Sequence, residues 1–594
     1  MISQAGDNKA LSFIKSNYIK GFFKKYKFHY FFGLIALFAV DYAQILVPLI
    51  IGDAIDRLES NIFDVSFVSN AVIKLLSIAF IIYIGRILWR YFIFGSSRDI
   101  ERDIRNDMFC HLEKMSAKYY QEHNPGEIMA HMTNDLEAVR MALGPGILTL
   151  FDVMALGTIT VYKMITEIDP MLTAVSTIPL FIIAVSVKVM GSEMHERFSA
   201  RQEAFAKLTD FTQENLSGIK VIKSFVQEHK SIEVFEEANK NTYDKNMKML
   251  KLQTLMHPYM NMIAGVALAI SIGYGGYITI YGRITLGEFT AFIQYLGMLV
   301  WPMIAMGMTI NMFTMGSASL ERIEKILNEP VEIKNSERTV QTGCFDGSVE
   351  IRNLNFKYPD TNKYVLNDIN LKINKGQTLG IIGRTGSGKT TLVNLLLRIF
   401  DPEDKTIFLG GYDILDIPLN TLRKNIGYVP QDNFLFSETI SNNIDFGVRT
   451  ENKEKIIEAA TTASVHENIV EFKHGYETLI GERGVSLSGG QKQRIYIARA
   501  LLKDPEILIL DDSVSAVDTD TEEKILTHLK EKRKYKTNII IAHRISTIQD
   551  SDLIIMLDEG RIAESGKHKE LLDKKGLYSS IYEKQLLEEM IEQE

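Results

Sequence analysis

Gly383-Arg384-Thr385-Gly386-Ser387-Gly388-Lys389-Thr390 reads as a complete phosphate-binding loop of the form G-x-x-x-x-G-K-[ST]. An apolar strand pattern at 378–382 precedes it and an apolar helix pattern at 391–399 follows, the context that the motif requires. The glycines let backbone N–H groups turn toward phosphate oxygens. The helix that follows adds its positive N-terminal end. Lys389 is expected to reach the β- and γ-phosphates and the Thr390 hydroxyl to ligate Mg²⁺, with Thr391 also among the ATP-binding residues. The chain is therefore expected to bind ATP or GTP through an α/β domain.

Outward from this loop the composition changes. The chain has 594 residues, too many for one compact core. Its 46% hydrophobic and 24% charged residues hide a split. Before about Glu321 lie long apolar runs; after it the sequence reads as a soluble α/β protein. A net charge of −8 argues against nucleic acid as a partner. The two cysteines, Cys110 and Cys344, fit a reducing compartment, and neither has metal-ligand spacing.

A membrane-spanning helix needs about 20 mostly apolar residues. Six candidates occur, at 30–51, 71–94, 145–164, 170–190, 256–280 and 288–312. Short connections at 52–70, 166–169 and 282–286 alternate with two long charged ones, 95–143 and 191–251. The long segments are helically periodic on both flanks. They are expected to be helices that continue out of the bilayer, turn and return. Lys15, Lys20, Lys24, Lys25 and Lys27 place the N-terminus and the long segments on the cytoplasmic side. Segment 11–27 mixes lysines with Phe13, Ile19, Phe22 and Phe23. It predicts an amphipathic helix on the inner membrane face rather than a cleaved signal peptide.

Charges at bilayer depth are costly and face a cavity, a partner or the interface. Arg90 and Lys163 can snorkel. Asp41 and Asp152 are either part of a substrate path or paired structurally with Arg86. Pro48, Pro179, Pro258 and Pro302 fall within spans. The five methionines from Met298 to Met312 fit packing, or a surface that adapts to apolar ligands.

Five further elements stand in a fixed order. Gln431 follows Tyr428-Val429-Pro430. Leu487-Ser488-Gly489-Gly490-Gln491 comes about a hundred residues after the loop. Ile507-Leu508-Ile509-Leu510-Asp511 is an apolar strand ending in a carboxylate. Ser515-Ala516-Val517-Asp518 follows it. His543 ends Ile539-Ile540-Ile541-Ala542. This set resembles the nucleotide-binding domain of ABC ATPases. With six spans ahead of it, the chain resembles a half-size ABC exporter of the type IV fold. Two segments of the long connections also resemble that family: His123-Asn124-Pro125-Gly126-Glu127, and 217–225 with Ser217-Gly218-Ile219-Lys220. The domains expected are an elbow segment 1–27, a six-helix transmembrane domain 28–325, a linker 326–347 and an ATPase domain 348–594.

The resemblance implies ATP and Mg²⁺ as cofactors and a second half-transporter chain as partner, with the lipid bilayer and a small amphipathic cargo. It implies that Tyr358 stacks on adenine, and that Asp511 holds Mg²⁺ with Thr390 and Gln431. His543 would contact the γ-phosphate. Ser488, Gly489, Gly490 and Gln491 would complete the partner's ATP site. Asp518 would lie at the junction, and Glu482 in the exporter-specific loop.

One position departs from the family pattern. Glu normally follows the strand's last Asp and orients the attacking water; here the residue is Asp512. Its carboxylate is retracted by one C–C bond, about 1.5 Å. A misplacement of about 1 Å can cost on the order of a hundredfold in rate. The chain's own site is expected to bind ATP well and hydrolyse it poorly. This resembles the degenerate subunit of bacterial heterodimeric multidrug exporters. The alternatives are a homodimeric lipid or peptide exporter, and an ATP-gated regulatory membrane protein.

Overall fold

The computed structural model describes residues 13, 16–60, 65–336, 338–340, 345–359, 361–481, 487–514 and 517–592. The chain divides into two compact units. One is Met1–Lys114 with His123–Glu329; the other is Met115–Glu122 with Pro330–Glu594.

The first unit is helical. Helix α1, Asn17–Lys25, is capped by the Ser16 side chain, which accepts from the Ile19 N–H. Ile19 and Phe22 are buried while Lys20, Lys24 and Lys25 are exposed, so the helix is amphipathic as its sequence requires. Residues of this segment before Ser16, Phe13 excepted, lie outside the described residues. Then come α2 (Lys27–Glu59) and α3 (Val65–Trp89). A π-type turn at Arg90–Phe94 carries α3 into α4 (Gly95–Leu112). The other long helices are α5 (Ile147–Lys163), α6 (Pro170–Ser217), α7 (Glu228–Ile270) and α8 (Leu286–Leu327). At 1.5 Å per residue, the 48 residues of α6 and the 43 of α7 are far longer than a bilayer core. Both therefore extend beyond it, and the short helix Ile219–Ser224 joins them. The segment His123–Glu127 forms the other short turn, where the Asn124 side chain caps helix Pro125–Ala130.

Among the described residues, five helices are long and apolar enough to cross a membrane. The fourth sequence candidate, 170–190, opens α6, and its described apolar run is Pro170–Ile183. The prolines at 48, 179, 258 and 302 all sit inside continuous helices. Helices α2 and α8 touch backbone to backbone: a Cβ on Gly287 would lie 2.1 Å from the Gly52 carbonyl oxygen. Beside that crossing, Ile45, Leu172, Met260, Phe292, Tyr295 and Leu299 form a core. The Tyr295 hydroxyl donates to the Ile45 carbonyl at 2.8 Å. Phe31, Phe32, Leu76, Phe80 and Phe181 point outward. In water that would be costly, but a surface facing lipid has no polar solvent to exclude.

The second unit carries two sheets. Strands β1 (Val349–Phe356), β2 (Leu366–Ile373), β4 (Ile407–Leu409) and β5 (Tyr412–Asp413) form an antiparallel sheet in the order β2-β1-β4-β5. The larger sheet contains β3 (Thr378–Gly383), β6 (Ile426–Val429), β7 (Ile507–Asp511), β8 (Thr537–Ile541), β9 (Leu553–Asp558) and β10 (Arg561–Gly566). Its order is β10-β9-β3-β8-β7-β6. Strands β9, β3, β8, β7 and β6 run parallel, and β10 returns antiparallel. Strands β7 and β8 are buried at every position, the pattern of a parallel sheet covered on both faces.

Candidate functional site

Strand register builds the site. Ile381 of β3 pairs with Ile541 of β8, and Ile541 pairs with Asp511 of β7. Val429 of β6 is aligned with Leu510. The loops that leave these four adjacent strands therefore emerge side by side at the carboxyl edge of the sheet, where open α/β sheets bind ligands. They carry Gly383–Thr390, His543, Asp512 and Gln431. No sequence spacing indicates this adjacency, because it depends on strand order.

The phosphate-binding loop runs from the end of β3 into helix α9, Lys389–Leu396. Gly386 and Gly388 have φ of +82° and +101°. A Cβ on Gly388 would also lie 2.7 Å from Leu366 Cδ2. Lys389 is 8% exposed, and its Nζ donates to the carbonyls of Gly383 at 2.7 Å and Arg384 at 3.0 Å. Burial lowers the Lys389 pKa, while Asp511 and Asp512 oppose that shift. The Ser387 Oγ is buried without a hydrogen-bond partner. A buried orphan hydroxyl and a cationic lysine at the turn of the loop are the chemistry that a bound phosphate requires.

At the end of β7, Asp511 is 4% exposed, lies beside the Thr390 hydroxyl and accepts from the Tyr428 hydroxyl at 3.5 Å. Its pKa is raised, first by burial and then by the Asp512 charge, with the hydrogen bonds opposing. Thr390 and Asp511 thus already meet as a hydroxyl–carboxylate pair. Among the described residues no group of three or more His, Cys, Asp or Glu forms a metal site. A hard cation here would need phosphate oxygens to complete its shell, as Mg²⁺ sites on nucleotides do.

Asp512 has φ of +48°, is 9% exposed, and accepts from Gln431 Nε2 at 3.3 Å. Its backbone is held from both sides: its N–H donates to the Ile541 carbonyl at 2.9 Å, and its carbonyl accepts from Gln493 Nε2 at 3.3 Å. His543 is exposed beyond β8. Tyr358 is half-buried, with its hydroxyl 3.0 Å from Thr391 Oγ1 and its ring edge-on to Phe356 and Phe400.

Ser488 caps helix α10, Gly489–Leu502, in a capping box with Gln491. Ser488 and Gly489 are exposed, and no atom lies within 4 Å of a Cβ placed on Gly489. Asp518 caps helix α11, Thr519–Lys532, accepting from the Thr521 N–H at 3.0 Å. Glu482, Ser515, Ala516 and Cys344 lie outside the described residues. In the membrane unit, Asp41 is 2% exposed, with Oδ2 lacking a hydrogen-bond partner. The Asp41 and Asp152 carboxyls stand beside one another, and the Arg86 charge acts on Asp152. The sequence raised each Asp separately; the structure places them together.

Tyr428, Gln493, Glu522 and Gln585 were not singled out from the sequence. Gln493, two residues past the Ser-Gly-Gly-Gln run, was the one a motif could have flagged. The others are brought to the site only by strand and helix packing.

Two family models match the chain: ABC transporter transmembrane region over residues 30–303, and ABC transporter over residues 366–515. A probable multidrug resistance ABC transporter ATP-binding/permease protein, YheI of Bacillus subtilis, is 39% identical over 95% of this chain and 97% of its own length. The multidrug resistance-like ATP-binding protein MdlA of Escherichia coli is 36% identical over 94% of each. A solved bacterial Atm1-family ABC exporter with ATP bound superposes with a TM-score of 0.76 at 25% identity, covering 95% of this chain and 98% of that one.

Proposed function

This chain belongs to the ABC transporter family as a half-size exporter, and on that premise we propose that it exports small amphipathic compounds as the degenerate-site half of a heterodimer. It is a multi-pass cell-membrane protein whose ATPase domain is cytoplasmic and couples ATP hydrolysis to transport. The multidrug names of two similar bacterial proteins support the cargo class. The domain division proposed is 1–27, 28–325, 326–347 and 348–594.

Bound ATP supplies the phosphoryl bond whose hydrolysis drives the cycle. The Lys389 ammonium would leave the Gly383 and Arg384 carbonyls for phosphate oxygens, and the Ser387 hydroxyl would gain the partner it lacks. Tyr358 would present its ring to adenine. Thr390, Asp511 and Gln431 would hold Mg²⁺. His543 would meet the γ-phosphate. Ser488–Gln491, capped but otherwise open, would serve the partner's ATP site.

The observation that carries the heterodimer is Asp512. Its short carboxylate is already engaged by Gln431 and sits on a left-handed residue fixed at both backbone groups. It has little freedom to advance toward a water that a glutamate would reach. The test compares ATP turnover of the chain purified alone with that of the chain co-expressed with a half-exporter carrying Glu at the equivalent position. Slow turnover alone and fast turnover together is expected. Fast turnover by a purified homodimer would refute the proposal.

A further inference from the structure

The segment after β8 leaves the sheet as Ala542-His543-Arg544-Ile545-Ser546-Thr547. Ile545 and Ile548 are buried, but His543 and Arg544 are exposed, so packing alone does not hold the histidine. Two side chains from separate helices hold the segment instead, one through its backbone and one through its side chains. Gln585, on the last helix α12 (Leu577–Glu592), donates from Nε2 to the His543 carbonyl at 2.6 Å. The same amide accepts from the Ile545 N–H through Oε1 at 2.9 Å. One planar group thus brackets Arg544 and fixes the peptide planes on both sides.

The second side chain is Glu522 of α11, which is 4% exposed. It accepts from the Thr547 hydroxyl through Oε1, and the Arg544 Nη1 lies 4.0 Å from its Oε2. A cavity of about 560 Å³ opens beside this contact, lined also by Asn538 and Asp550. The segment therefore has free space on one flank, so these hydrogen bonds act together with the buried Ile545 and Ile548 in setting where it stands.

We propose that Gln585 and Glu522 are positioning residues for ATP hydrolysis, fixing the backbone 543–547 so that the His543 imidazole faces the γ-phosphate. Neither is among the residues proposed to contact ATP. Glu522 sits one turn into the helix that Asp518 caps, so the brace also ties the histidine to the element that begins at Asp518. This inference rests on the reading of His543 as the γ-phosphate contact.

The test uses the assembled transporter, with the partner's phosphate-loop lysine replaced by alanine so that hydrolysis is read at this chain's own site. Amide exchange is followed in parallel. Gln585→Ala should raise exchange at Ile545 about tenfold while β8 stays protected. It should lower the hydrolysis rate about tenfold, leave KM for ATP unchanged, and add nothing to His543→Ala. Glu522→Gln, which keeps an acceptor for Thr547, should retain the rate that Glu522→Ala loses. Unchanged exchange at Ile545 would overturn the brace. So would an unchanged rate in Gln585→Ala where His543→Ala is impaired, or a double variant slower than His543→Ala. If His543→Ala is itself silent while exchange still rises, the reading of His543 fails and the contact is structural only, which also overturns the positioning role.

Discussion

Replacing Asp512 is the sharpest probe of how the two ATP sites share the work. Relative to Glu, Asp holds its carboxylate back by about 1.5 Å. If a misplacement of that size costs on the order of a hundredfold, it corresponds to about 2.7 kcal/mol of barrier. This chain's site would then supply about one part in a hundred of the heterodimer's turnover. Asp512→Asn should accordingly lower ATP hydrolysis by only about one per cent, the whole share of the weak site. Asp512→Glu should raise it, at most about twofold, the limit when both sites become competent. The left-handed φ of +48° sets a second constraint. Asp tolerates that region better than Glu, and the longer side chain costs about 1–2 kcal/mol there. Turnover must therefore be normalised to folded protein by thermal unfolding. Phosphate release by the purified assembled transporter, at saturating ATP and Mg²⁺, measures both variants. Loss of nearly all hydrolysis in Asp512→Asn would mean that this site is the main catalytic one, and the degenerate reading would be wrong.

Ser488→Arg should lower turnover far more than Asp512→Asn, on the order of tenfold or more, because it damages the site where the partner supplies Glu; hydrolysis that persists would show that this signature serves no competent site. Gly388→Ala should destabilise the ATPase domain by about 1–3 kcal/mol and weaken ATP binding, because φ is +101° and Leu366 lies 2.7 Å from the added Cβ; thermal unfolding with and without ATP checks both. Burial, aided by Asp512, raises the Glu522 pKa against the opposing Thr547 and Arg544. Its contribution to stability is thus fully present below the unfolded value of about 4.3 and falls as pH rises through the higher folded value. Glu522→Gln should therefore be at least as stable as the parent at pH 7.5, with the difference shrinking toward pH 4 in unfolding scans. Asp152→Asn should weaken transport of a cationic dye and spare a neutral one if the Asp41–Asp152 pair faces cargo; equal loss for both, with less folded protein, would mark the pair as structural.

Local chemistry explains what was readable early. The glycines of the phosphate-binding loop, the apolar strand ending in Asp511 and the Ser488–Gln491 cap all act through neighbours within a few residues. Helices α6 and α7 were legible because their periodicity continues past the apolar runs. The exact ends were not: α2 runs on to Glu59, beyond the apolar stretch ending near residue 51, because a helix continues while its backbone bonds are satisfied.

The two classes of domain, the nucleotide loop and the identity of every group proposed to act on it can be read from the amino-acid order alone. So can the one-carbon shortening at Asp512, since that is covalent. Which groups meet depends on the folded chain. The order β3-β8-β7-β6 places Lys389, His543, Asp512 and Gln431 along one edge of the sheet. Helix packing joins Asp41 to Asp152, and Gln585 to the backbone of His543, across 111 and 42 residues of chain. Contacts at such separation leave no periodic trace in a sequence, because each depends on the whole path of the chain between its two partners.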